Sequence, residues 1–321
     1  MSTIKSVHTS TGSVGIREFK LSSIAPNASI VLIAKRGSGK SWVCRSLLNH
    51  FRNFPVGVIV APTDRMSGFY KKCFVDSYIY YDVDTSIFSS ILQRQTDIIQ
   101  KNKEKNKIKK RIDTRCILLM DDVLAQKKGW NKDQKLLEIM QNGRHYKLTY
   151  VLAMQFSLGI SPEMRSQFDY IFLLADDFPS NQKRIYDHYA GMFPNFDIFK
   201  QIFEQLTANF GCMVIVNTNR GKQDDNKDLG FLSKIYWFKA GDVPKSNVVW
   251  GCSQFNNYHA LNYDKNWKNK SSAFNIDELC MFKRKNKENI KVQMIENQDD
   301  QNELKNNEEN KFVDNDNYGI A

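Results

Sequence analysis

Between residues 29 and 238 the chain repeats one pattern. A short apolar run, rich in β-branched and aromatic residues, is followed by a longer stretch with apolar positions three or four apart. The short runs are Ser29–Ala34, Val56–Ala61, Tyr78–Tyr81, Arg115–Met120, Thr149–Met154, Tyr170–Leu174, Cys212–Asn217 and Ile235–Phe238. Most are continuously apolar rather than alternating, as strands covered on both faces are. The helical stretches lie near Gly39–Phe51, Ser86–Gln100, Lys132–Gly143, Asn181–Ala190 and Phe196–Leu206. Strand and helix in alternation predict an α/β fold with a mainly parallel central sheet flanked by helices. Residues 1–14, rich in Ser and Thr, read as a flexible N-terminus before a core over 15–255. A basic appendage over 256–293 and an acidic, Asn-rich tail over 294–321 follow, and the tail lacks the apolar content to fold alone.

Two of the junctions carry chemistry. Residues 34–41 read A-K-R-G-S-G-K-S: Ala34, Lys35, Arg36, Gly37, Ser38, Gly39, Lys40, Ser41. This is the phosphate-loop pattern G-x-x-x-x-G-K-[ST], with Ala34 in place of the first glycine. Gly37 and Gly39 allow successive N–H groups to point inward at phosphate oxygens. Lys40 supplies a charge to the β- and γ-phosphates, and the Ser41 hydroxyl is a magnesium ligand. The apolar strand before the loop and the helix after it are the context that the motif requires. The alternative is a Gly-Ser turn followed by a lysine.

The second junction is R-C-I-L-L-M-D-D, residues 115–122, an apolar strand that delivers two carboxylates at its C-terminal end. Ligands of open parallel sheets bind there. Asp121 is the candidate magnesium residue and Asp122 the candidate general base. Val56–Ala61 intervenes between the two motifs, and Thr149–Met154 follows them and ends at Gln155. That spacing predicts the additional-strand, catalytic-acid class of P-loop NTPase core found in motor ATPases. Kinases and GTPases commonly place the two motif strands side by side. Gln155 reads either as a γ-phosphate sensor or as a surface glutamine after a strand.

Charge adds a partner. The net charge is +11, but residues 294–321 hold eight acids and two lysines, so the remaining 293 residues carry +17. A body that basic suits a polyanion, and nucleic acid is the first candidate. The segment 101–111, K-N-K-E-K-N-K-I-K-K-R, has seven basic residues and one acid, and reads as a solvated loop or a phosphate contact. The six cysteines include no C-x-x-C pair, and the five histidines no metal-ligand spacing on a helix. With no visible signal peptide and no apolar run of membrane-span length, a soluble protein in a reducing compartment is expected.

The stretch N-G-R-H-Y-K-L-T-Y-V-L-A-M-Q, residues 142–155, resembles the FtsK–HerA superfamily of DNA pumps. The loop at 34–41, the strand I-L-L-M-D-D and P-E-M-R-S-Q-F-D-Y-I-F at 162–172 resemble, within it, the poxvirus-type virion DNA-packaging ATPases of large nucleocytoplasmic DNA viruses. The likeness covers about residues 15 to 240 and rests on the order and spacing of its pieces. It implies a ring-forming, ATP- and magnesium-dependent motor on double-stranded DNA, acting in the host cytoplasm at the virus factory and in the virion. It also implies an arginine that acts on a neighbouring subunit's ATP. Arg144 is the first candidate and Arg165 the second, and each also reads as a salt-bridging residue. Many superfamily members have Asp-Glu where this chain has Asp121-Asp122. The other readings are a P-loop nucleotide or nucleoside kinase, and a non-enzymatic DNA-binding scaffold with a decayed nucleotide site.

Overall fold

A computed structural model of the chain describes residues 3–10, 12–104, 111–123, 132–218, 227–241 and 250–262. The chain divides into Met1–Tyr263 and Asp264–Ala321, and the second unit lies outside the described residues. So do most of the segment 101–111, most of the expected 256–293 appendage and all of the 294–321 tail.

Ten strands form one sheet: β1 (Ile4–Thr9), β2 (Gly12–Glu18), β3 (Ser29–Ile33), β4 (Val56–Val60), β5 (Ile79–Tyr80), β6 (Cys116–Asp121), β7 (Leu148–Met154), β8 (Tyr170–Leu174), β9 (Gly211–Val216) and β10 (Ile235–Lys239). Their spatial order is β1-β2-β10-β9-β8-β3-β7-β6-β4-β5. The six strands from β8 to β5 are mutually parallel, and β9 runs antiparallel to β8 and to β10. All eight apolar runs are strands, with ends shifted by one residue where they shift at all. They form strands because both faces are covered: alternate residues of β3, Val31 and Ile33 against Ile30 and Leu32, enter two separate apolar clusters.

The helices are α1 (Lys40–His50), α2 (Asp64–Ser67), α3 (Thr85–Glu104), α4 (Gln134–Asn142), α5 (Pro162–Arg165), α6 (Pro179–Tyr189), α7 (Phe196–Thr207) and α8 (Ser253–Asn262). The caps of α4 and α7 are local. Asp133 accepts from the N–H of Lys135 and Leu136, and Asn195 accepts from that of Ile198, satisfying amides that a helix start leaves open. One face of the sheet packs α3, α4, α6 and α7, through Phe88, Leu136, Ile185 and Phe199 among others; the other packs α1 with Trp250 and Phe255.

β1 and β2 form an antiparallel hairpin in register from Ile4↔Arg17 to Thr9↔Gly12, so the expected flexible stretch 1–14 spans β1 and the start of β2. In β1 only Val7 is buried and in β2 only Ile16, so no apolar run marks either strand. The hairpin is held by distant partners instead. β2 pairs with β10. Two glutamines of α7 bond the backbone of β1 and the residue after it: His8 N–H donates to Gln205 at 2.9 Å and Ser10 N–H to Gln201 at 2.7 Å. Past β10, Trp250 enters the core, its indole N–H donating to Leu48 O at 2.9 Å. The expected boundary at 255/256 falls inside α8, whose Phe255 stacks on Tyr78 at 4.5 Å between ring centroids.

Candidate functional site

β3 ends at Ile33, and the chain turns through residues 34–39 into α1. Ala34 is 1% exposed and its N–H bonds Met154 O at 3.0 Å, so the position that departs from the motif continues the β3–β7 ladder and packs its methyl in the core. Gly37 and Gly39 both take left-handed backbone, at φ 82 and 99, which the loop needs and which glycine adopts without strain. Ser38 closes the turn by donating its hydroxyl to Lys35 O at 2.6 Å. Lys40 and Ser41 are the first two residues of α1, where the helix's unpaired N–H groups and positive end favour an anion.

Strand register brings the rest of the site to this edge. Ile33 is level with Met154, and Asp121 with Ala153. The Lys40 ammonium lies 2.8 Å from Asp121 Oδ1 and 3.7 Å from Asp122 Oδ1. The first contact is a close, buried ion pair. Burial pulls the Lys40 pKa down, but Asp121 and then Asp122 outweigh it and hold the ammonium above the ordinary lysine value. Gln155 donates from Nε2 to Asp122 Oδ2 at 2.6 Å.

Asp122 itself has left-handed backbone, φ 57, while its N–H still bonds Ala153 O at 3.0 Å. The ladder thus runs one residue past the strand, and then the chain turns sharply. Aspartate tolerates that conformation better than most side chains do.

Tyr70 belongs to the site and no sequence pattern points to it. Its buried hydroxyl donates to Asp121 Oδ2 at 2.7 Å. Asp64 sets its position by accepting from the N–H of Phe69 at 2.6 Å and of Tyr70 at 3.2 Å. Burial, then Cys44 and Asp121, raise the Tyr70 phenol well above its usual pKa. Cys44, one turn into α1, is buried beside it, and burial raises its thiol in the same way.

Other expected site residues lie elsewhere. Lys35 pairs with Asp177 at 2.7 Å, and Arg36 is exposed. Arg144 lies before the start of β7, at the sheet edge opposite the phosphate loop. There its guanidinium pairs with buried Asp169, which precedes β8 and also accepts from Ser29 N–H at 2.9 Å. A cavity of about 530 Å³ opens at this edge, lined by Arg144, His145, Asp169 and Asn217 among others. Arg165 donates from Nε to Ile160 O at 3.0 Å and lies 6.0 Å from the Tyr189 ring. Neither arginine joins its own chain's phosphate loop.

The residues present fit a magnesium ion. Asp121 Oδ1 is a buried carboxylate oxygen whose near partner is the Lys40 ammonium, and Ser41 lies in the first turn of the adjacent helix. Among the described residues no group of three or more His, Cys, Asp or Glu is placed to hold a metal. Magnesium in nucleotide sites needs no such group, because it takes one or two protein oxygens, phosphates and water.

The loop, the carboxylate pair and the order β3-β7-β6 define the additional-strand, catalytic-acid class of P-loop NTPase fold. Residues 17–174 match the model of the family described as Poxvirus A32 protein. An uncharacterized protein of Acanthamoeba polyphaga mimivirus is 44% identical over 283 residues, covering 88% of this chain and 96% of that relative. An uncharacterized protein of Invertebrate iridescent virus 6 is 29% identical over 239 residues, covering 74% of this chain and 87% of the relative. Among solved structures, the genome packaging NTPase B204 from Sulfolobus turreted icosahedral virus 2 in complex with sulfate aligns with a TM-score of 0.44 and 15% identity, over 68% of this chain and 98% of that one. The chain belongs to the poxvirus A32 protein family.

Proposed function

We propose that this chain is an ATP-hydrolysing motor that drives double-stranded viral DNA into a capsid, working as a homo-oligomeric ring at the virus factory in the host cytoplasm. The observation that carries the enzymatic half is the convergence of Lys40, Asp121, Asp122 and Gln155 at one sheet edge, with a strand between the two motif strands. The DNA half rests on the family and on the +17 carried by the first 293 residues. Among the described residues no helix is long and apolar enough to cross a membrane.

Lys40 is the residue that changes partners. Its ammonium neutralises Asp121. With ATP bound it serves the β- and γ-phosphates, and Asp121 is released. Ser41 and Asp121 would then hold magnesium, which when bound would supply charge neutralisation at those phosphates. Asp122 accepts the proton of the attacking water on Oδ1, while its Oδ2 stays on Gln155. Gln155 joins this base to the loop after β7, so loss of the γ-phosphate is felt outside the site. Arg144 and Arg165, away from their own chain's loop, would act on a neighbour's nucleotide in a ring.

The order of the sheet favours hydrolysis over the kinase reading. The test is phosphate release from ATP and magnesium by the full chain, with and without long duplex DNA. Stimulation by duplex DNA is expected. Stimulation by a nucleoside instead, with phosphorylation of that nucleoside, selects the kinase. Binding of DNA without any turnover of ATP selects the scaffold.

A further inference from the structure

Phe210 is a largely exposed aromatic side chain beside the phosphate loop. It is 67% exposed, yet its ring leans on the loop: a Cβ placed on Gly39 would lie 3.6 Å from Phe210 Cδ1 and 4.0 Å from Leu174 Cδ2. Its backbone is unusual as well. Asn209 and Phe210 both have positive φ, 54 and 61, in the turn between α7 and β9. Asparagine visits that region readily; for a bulky aromatic it is a genuine outlier. Such strain persists only where the surroundings impose it, and it collects at ligand clamps.

The surroundings here are rigid. Thr207 donates its hydroxyl to Phe203 O at 2.8 Å, which ties the end of α7. Gly211 follows so tightly that a Cβ there would meet Leu206 O at 2.3 Å. Cys212 then locks onto Leu174 in the β8–β9 ladder. The turn therefore has no slack, and it presents Phe210 to solvent at the loop's rim. Two-thirds of the residue is left to solvent on a strained backbone.

The sheet order says what can cover the ring. The acidic pair lies on the β7–β6 side of the phosphate loop, and Phe210 on the β8–β9 side. A nucleotide whose γ-phosphate faces Asp121 and Asp122 must lead its sugar and base out on the other side. Phe178, 57% exposed and just past β8, edges the same side, with the loop's Lys35 ammonium 4.7 Å from its ring centroid. We infer that Phe210 is the stacking platform for the nucleobase of the bound nucleoside triphosphate. The inference rests on the NTPase reading above and adds the base subsite to it. Stacking uses the π-face that every base has.

The test is calorimetric titration of the full chain with magnesium ATP and with magnesium inorganic triphosphate, which has the phosphates but no base. Phe210→Asn keeps a residue suited to left-handed backbone and removes the ring, and Phe210→Trp restores a larger one. Phe210→Asn is expected to weaken ATP about 5- to 100-fold, the loss of one base–aromatic stack, and to leave triphosphate unchanged. Phe210→Trp is expected to bind ATP like the wild type. Unchanged ATP affinity in Phe210→Asn overturns the platform and leaves the NTPase reading intact. Equal weakening of ATP and triphosphate overturns it too, by assigning Phe210 to the shape of the phosphate loop. A wild-type chain that binds neither removes both readings.

Discussion

Gln155 donates its amide to Asp122 Oδ2 at 2.6 Å, joining the residue just past one strand to the acid just past its neighbour. The bond leaves Asp122 Oδ1 for water. Asp122→Asn keeps the fold and ATP binding but removes the proton acceptor. Its kcat is expected to fall about 10²- to 10⁴-fold, as loss of a general base does, with ATP affinity within about twofold of wild type. Gln155→Ala is expected to lower kcat less and to weaken the stimulation by DNA. Near-normal turnover in Asp122→Asn removes that residue from the mechanism.

Tyr70 supports Asp121 from inside the core. Tyr70→Phe deletes one hydrogen bond to a charged group and is expected to destabilise the fold by about 1.5–3 kcal/mol. It is also expected to weaken magnesium about tenfold in ATPase assays, because partners of a ligand orient it. The pH dependence has a definite sign. Folding holds the phenol pKa well above its ordinary 10.0, so the stability from neutral Tyr70 is complete below pH 10.0 and is lost as pH rises past it. Denaturant titrations of Tyr70→Phe should show a shallower alkaline decline. An equal decline shows that Tyr70 ionisation does not set it.

Lys40→Ala removes the charge that faces both carboxylates. It is expected to abolish ATP turnover and to leave Asp121 short of a partner, so Tm falls although the fold persists. Arg144→Ala is expected to bind ATP but barely hydrolyse it, since a guanidinium on the γ-phosphate is worth about 10³- to 10⁵-fold. Mixing the two variants tests the ring. An intact phosphate loop can meet an intact arginine only across a subunit boundary, so some activity should return. Zero recovery in a verified mixed assembly assigns Arg144 to Asp169 alone.

Lys105, Lys107, Lys109 and Lys110 sit in the basic segment whose middle lies outside the described residues. If they touch DNA phosphates, changing all four to Ser weakens binding to every sequence alike. The slope of log affinity against log salt should flatten by about 0.9 for each phosphate no longer neutralised. An unchanged slope returns the segment to a solvated loop.

The sequence by itself determined the strands buried on both faces, because short continuous apolar runs such as Ile117–Met120, set between longer helical patterns, fit strands covered on both faces. It also determined the tight turn into α1, since Gly37 and Gly39 act through local backbone at one helix start. Three things were decided only in three dimensions. The β1–β2 hairpin depends on Gln201 and Gln205, some 190 residues away, and on a single buried residue in each strand. Tyr70 reaches Asp121 across 51 residues because Asp64 fixes its turn. Arg144 and Gln155 flank one seven-residue strand, and its length sets them at opposite edges of the sheet, so only Gln155 meets the carboxylates. In each case the deciding interaction joins residues distant in sequence, and strand register, which no local pattern records, sets who meets whom.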